Sequence, residues 1–241
     1  MCGRLNVTDD PAVQALCETL GINLYPQSNA LDMPTRPLFN RFTRVANNVS
    51  IIRDVQGKRR LDNAIWWLLL SPTEHSFKAS KWTSFNTRYD KLNIPGSAGY
   101  QAFRHSRCIV PVKGFGETQG KGSDAVYTDF TAEFGAIALG GLCREWIHQT
   151  SQEVVLSCSI ITLPAHHKLA QYHSKSSPLM LRQDDDTMHM WLDPSVTDVQ
   201  ILNNLLRPNL PQNLLAQRID KPSTFRTIGA VERITADSQL L

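Results

Sequence analysis

The sequence predicts an α+β fold on a mixed or antiparallel sheet. Val154 to Leu163 is the strongest strand signal in the chain, an apolar run bounded by polar residues. Shorter apolar strands recur before it. The helical stretches between strands follow no regular βαβ repeat, which argues against a parallel doubly wound sheet.

The elements follow in order. Asp10 to Gly21 reads as a helix: Asp9 or Asp10 caps it, Pro11 suits its first turn and Gly21 its end. Val13, Leu16, Cys17 and Leu20 make one apolar face, so Cys17 is a core cysteine. Residues 22–43 hold Pro26, Pro34 and Pro37 and read as a long loop, with Arg36, Arg41 and Arg44 in it or just after. Val49 to Arg53 is a strand, residues 54–58 a hairpin turn, and Arg60 to Leu70 the next strand, with Trp66 and Trp67 on opposite faces. Residues 71–100 are polar and irregular.

Arg107 to Pro111 reads as a buried strand. The glycines around Phe115 predict a tight path that delivers Glu117 just past a strand end. Strands are expected over Ala125 to Ala132 and Ala136 to Leu142. A short helix is expected from Pro164 to Tyr172, with His173 just beyond it, then a strand at Leu179 to Leu181. Asp184 to Asp186 cap a helical stretch through Trp191. Val196 to Leu206 is a further helix stopped by Pro208, and a strand near Ala216 to Ile219 precedes a polar tail.

Composition bounds the function classes. The chain has 241 residues, 41% hydrophobic and 20% charged, which suits a folded core in one large or two small domains. The longest apolar run, Ala64 to Leu70, falls far short of the ~20 residues of a membrane span. No basic-then-apolar leader opens the sequence. The five cysteines have no CxxC spacing, so neither a zinc site nor a disulfide framework is indicated, and a reducing cytoplasm fits. His166 and His167 lack a second ligand at helical spacing, so no metal site is expected. A net charge of +3 permits nucleic-acid binding without requiring it.

Some residue types carry chemistry. Removal of Met1 would put an α-amine and a thiol on Cys2, and this pair can capture an aldehyde as a Schiff base and then a five-membered thiazolidine. Taken alone, Cys2 reads more readily as a small residue opening a strand. Asn86 and Arg88 project to the same side of an extended segment, and an arginine there suits phosphate. Glu117, partly desolvated, can shuttle protons, or is simply a turn glutamate. His173 is placed for a cleft, or caps a helix. One of Trp66 and Trp67 can stack on a base.

Four pieces occur in order: Met1-Cys2-Gly3-Arg4, Asn86-x-Arg88-x-Asp90, Val110-Pro111 with Gly114-Phe115-x-Glu117, and His173 before Pro178. Together they resemble the SOS response-associated peptidase family, the abasic-site processing proteins, over Cys2 to about Leu181. The resemblance implies a single domain over 1–241, with residues 182–241 as C-terminal helix and tail, on a barrel-like sheet with helices outside. It implies loss of Met1, binding of single-stranded DNA and a covalent thiazolidine crosslink to abasic sites. Cys2, Asn86, Glu117 and His173 are the implied catalytic residues. Arg4, Arg88, Trp66, Trp67 and Lys175 are the implied DNA contacts. No cofactor is implied, because Cys2 and the aldehyde of the substrate supply the chemistry; a monomer in the cytoplasm is expected.

The sequence departs from the family pattern in places. Thr87 and Asp90 stand where Ala and Glu are usual, and Gly116 and Thr118 replace two aromatics beside Glu117. Lys175 stands where an Arg is usual. Trp66-Trp67-Leu68-Leu69 replaces Trp-Gly-Leu-Ile. Two other classes remain open: a class II glutamine amidotransferase, which also begins Met-Cys-Gly, and a noncatalytic single-strand DNA-binding module with an inert Cys2.

Overall fold

A computed structural model describes residues 3–8, 10–24 and 38–238. Cys2 and Arg36 lie outside the described residues. The chain starts with β1 (Arg4–Val7) and α1 (Pro11–Thr19). The Asp10 side chain accepts from the Ala12 N–H at 2.8 Å, so the cap read from sequence is in place. Val13, Leu16 and Cys17 are buried along one face, and burial pushes the Cys17 thiol up to about 12.

Next come β2 (Asn40–Arg44), β3 (Asn48–Val55) and β4 (Lys58–Ile65). β3 and β4 form the expected hairpin. Gln56 and Gly57 both take positive φ, 55° and 79°, as a two-residue hairpin turn requires. Asp54 ties the turn by accepting from the Gly57 N–H at 2.8 Å.

The region 71–100, expected to be irregular, holds β5 (Leu70–Pro72), β6 (Phe77–Ala79) and β7 (Asn86–Arg88), and α2 (Tyr100–His105) begins at its end. Then follow β8 (Arg107–Val112), β9 (Gly114–Gln119), β10 (Val126–Ala132), β11 (Ile137–Ile147), β12 (Val154–Leu163) and β13 (Ser177–Pro178). The chain continues through α3 (Thr187–Leu192), α4 (Val199–Asn204), β14 (Leu214–Ile219) and β15 (Thr227–Ile234).

The fold is α+β, as predicted. Strands β11, β8, β3, β4 and β12 run side by side, and β11 also pairs with β12, so five strands close into a barrel. Closure leaves those strands no open edge. β12 pairs with β4 and β7 in parallel, so the sheet is mixed. A second sheet, in the order β15, β14, β10, β9, β1, β2, is antiparallel in every pairing.

Alternating side chains build two cores. Cys108, Val110 and Val112 of β8 join Leu5, Phe115 and Phe130 of the second sheet in one cluster. Ile109 faces the other way, into a cluster with Val13 and Cys17 of α1 and Trp191 of α3. A strand buried on both faces reads as a continuous apolar run, which explains why β8 and β12 were legible.

Four expectations are corrected. The strand expected through Leu70 ends at Ile65, so Trp66 and Trp67 lie just past it. Residues 164–172 form turns rather than a helix, with bonds such as Leu169 N–H to His166 O at 2.9 Å. There the His166 ring accepts from the Lys168 N–H at 3.3 Å, competing with helical backbone bonding. Glu117 sits within β9, not beyond a strand end. The tail after Ile219 contains β15, whose apolar residues Ile228 and Val231 are exposed and so gave no core-facing pattern.

Candidate active site

β9 is the strand that positions the site. It lies between β1 and β10, with Gly116 opposite both Arg4 and Asp129. Alternation then sends Phe115 and Glu117 to one face and Gly116 and Thr118 to the other.

On the inner face Glu117 is 2% exposed. Burial raises its carboxyl to about 7, an effect that nearby Arg4 partly opposes. A crevice beside it is lined by Phe115, Phe130, Leu169, His173, Ser176 and Pro178. His173 Nδ1 stands 3.8 Å from Glu117 Oε2 and 3.2 Å from the Thr118 carbonyl oxygen. Burial lowers the imidazole to about 4, so the ring is neutral at pH 7 and the contact with Glu117 is not an ion pair. A carbonyl only accepts, so the neutral ring carries its proton on Nδ1 and donates it to Thr118. Nε2 is then the acceptor of the ring. Ser174 strengthens this docking, its N–H donating to Gln119 Oε1 at 3.3 Å.

On the outer face Arg4 crosses β9. Nη1 donates to Thr118 Oγ1 at 2.9 Å and Nη2 to the Glu117 carbonyl at 3.0 Å. Asp129 lies 3.7 Å from Nη2, and the guanidinium sits over the Tyr127 ring. A side chain on residue 116 would collide with it: a Cβ there would be 2.6 Å from Arg4 Nε. The two small residues that replace aromatics in this segment thus make room for, and bind, Arg4.

The other predicted residues fall as follows. Arg4 is 7% exposed, so its donors serve the strand instead of standing out at the surface for phosphate. Trp66 is fully buried, its indole N–H donating to the Phe85 carbonyl at 2.9 Å, and so cannot stack on a base. Trp67 is half-buried and packs on Phe85. Asn86 lies on β7 opposite Ile160 of β12. Arg88 is exposed and grips Asp90 through two bonds of 3.0 and 2.7 Å. Lys175 is exposed on the loop after His173. The structure thus gathers Glu117 and His173 on one face of β9 and Arg4 on the other. Sequence reasoning missed Thr118 and Asp129. An acid inside the otherwise apolar and hydroxylic run Val126–Ala132 was the available signal for Asp129. No group of three or more His, Cys, Asp or Glu among the described residues could hold a metal ion. None of the described helices is long and apolar enough to cross a membrane.

A carboxyl held near neutrality against a neutral imidazole is a proton-transfer site. The family model described as SOS response associated peptidase (SRAP) matches residues 1–222. The chain belongs to that family, and through it to the proteins of the DNA-damage response. No match was found among curated proteins. Among solved structures, a protein from Bordetella bronchiseptica has 17% identity and a TM-score of 0.68, covering 91% of this chain and 100% of its own. A phage-related protein from the same organism has 16% identity and a TM-score of 0.62, covering 91% and 95%. A protein from Bacteroides thetaiotaomicron has 20% identity and a TM-score of 0.56, covering 73% and 75%. At these identities the likeness is one of fold.

Proposed function

We propose that this protein binds single-stranded DNA and forms a thiazolidine crosslink with abasic sites through Cys2, after Met1 is removed. The observation that carries the reading is the Glu117–His173 pair, a half-ionised acid 3.8 Å from a neutral imidazole. The chemistry needs such a pair. An abasic site must open from hemiacetal to aldehyde: His173, as a neutral base, takes the proton of the C1′ hydroxyl as the C1′–O4′ bond breaks, and returns it to the sugar oxygen O4′. The Cys2 amine adds to C1′. Glu117 moves two protons in turn from the amine nitrogen to the C1′ oxygen, the first to form the carbinolamine and the second as that oxygen leaves as water and the Schiff base forms. The Cys2 thiol gives its proton to the imine nitrogen as sulfur bonds to C1′, closing the ring. An acid near pKa 7 can perform both the donation and the acceptance at neutral pH. Asn86 holds the sugar or the N-terminus. Arg88 and Lys175, exposed on the surface, contact flanking phosphates, so binding weakens with salt.

The test is a single-stranded oligonucleotide carrying one abasic site. The protein gives a band that survives boiling in detergent, and Cys2→Ala gives none. Absence of the band from protein whose mass shows Met1 removed overturns the crosslinking reading.

A further inference from the structure

We propose that the cavity around Asp129, on the outer face of the second sheet, is a guanine-binding site. It faces away from Glu117 and is independent of the crosslinking reading. The register sets Arg4, Gly116, Asp129 and Gln217 in one row across four strands. Asp129 is 5% exposed and lines a cavity of about 270 Å³ together with Asn6, Arg41, Lys113, Thr131 and Gln217. This approaches the ~300 Å³ lower end of small-molecule pockets.

The donor set is unusual. Asp129 is under-satisfied: Asn6 and Arg4 are the donors that approach it, Arg4 Nη2 only to 3.7 Å, and neither completes a hydrogen bond of ordinary geometry to either oxygen. A buried carboxylate of this kind is costly unless donors reach it. Two adjacent acceptor oxygens call for two adjacent N–H groups. Guanine offers N1–H and N2–H side by side. Adenine and cytosine each offer one amino group beside an acceptor nitrogen, and thymine offers a single N–H. A simple organic cation fits less well, because Arg4 and Arg41 already stand close to the acid. Arg41 and Lys113 instead suit the phosphate of a guanine nucleotide, whose base meets Asp129.

GMP, AMP and CMP are titrated into the full chain by calorimetry, with no abasic DNA present. GMP is expected to bind at least tenfold tighter than the other two. Equal binding of all three, or none, overturns the proposal. Asp129→Asn turns one acceptor into an NH2 donor. That pattern matches xanthine, which has an oxygen beside N1–H. The variant is therefore expected to prefer XMP over GMP; a folded variant that still prefers GMP overturns the proposal. Thr131→Tyr fills the cavity from its wall and is expected to abolish GMP binding. Retained binding there overturns the site whether or not the Asn variant folds. Competition by a dT strand carrying a single dG identifies the source: displacement of GMP assigns the site to a base within DNA, and no displacement to a free nucleotide.

Discussion

His173 Nδ1 lies 3.8 Å from Glu117 Oε2, and the burial that brings them together moves both toward their uncharged forms. The glutamate rises to about 7 and the histidine falls to about 4. At neutral pH the two share one dissociable proton on Glu117, not an ion pair.

The crosslinking rate should follow Glu117. Single-turnover rates against pH are expected to show an inflection near 7, where Glu117 titrates. His173 should add none between pH 5 and 8. Glu117→Gln is expected to slow the reaction by ~100-fold or more and to remove the inflection. An unchanged profile in the Gln variant would assign the titration elsewhere.

The same shift acts on stability. The folded pKa of Glu117 lies above its ordinary 4.5, so its contribution is fully present below pH 4.5 and is lost as pH rises through about 7. Glu117→Gln should therefore match wild type at pH 4.5 and exceed it at pH 8, by about 3 kcal/mol at most. His173 has the opposite sign. Its lowered pKa gives stability present above 6.5 and lost as pH falls through about 4. Urea denaturation at the two pH values checks both.

Arg4 should behave as a buried strap. Arg4→Ala is expected to destabilise by about 3 kcal/mol, because Asp129 is left buried without its ion pair. Arg4→Lys should rescue poorly, since one ammonium cannot reproduce the guanidinium contacts to Thr118 and to the Glu117 carbonyl. Gly116→Ala should cost about 1–3 kcal/mol by displacing Arg4. Thermal denaturation measures all three.

The two tryptophans should separate cleanly. Trp66→Ala is expected to cost about 3–5 kcal/mol of stability, as for other fully buried aromatics. Trp67→Ala should leave most stability intact and weaken single-strand binding by about 1–3 kcal/mol if Trp67 stacks on a base. Fluorescence anisotropy with an intact oligonucleotide reads the second effect.

The sequence by itself determined the elements whose signal is local. The α1 cap at Asp10, the Gln56–Gly57 turn and the doubly buried β8 and β12 each follow from propensity or from a short apolar pattern. It also supplied the ordered motifs and the residue types of the site. Only the tertiary structure decided which way those residues act. Arg4 lies buried flat across the outer face of β9 because Gly116, across the strand pair, leaves space for it. The two tryptophans alternate as expected, and packing decided which is core: Trp66 is buried against Phe85 and Trp67 is half-buried. Glu117 meets His173 because the His173 ring docks on the carbonyl of Thr118, the next residue of β9, 55 positions earlier in the chain. Alternation along a strand is written in neighbouring residues, whereas register between strands and the burial that shifts a pKa arise from partners far away in the chain.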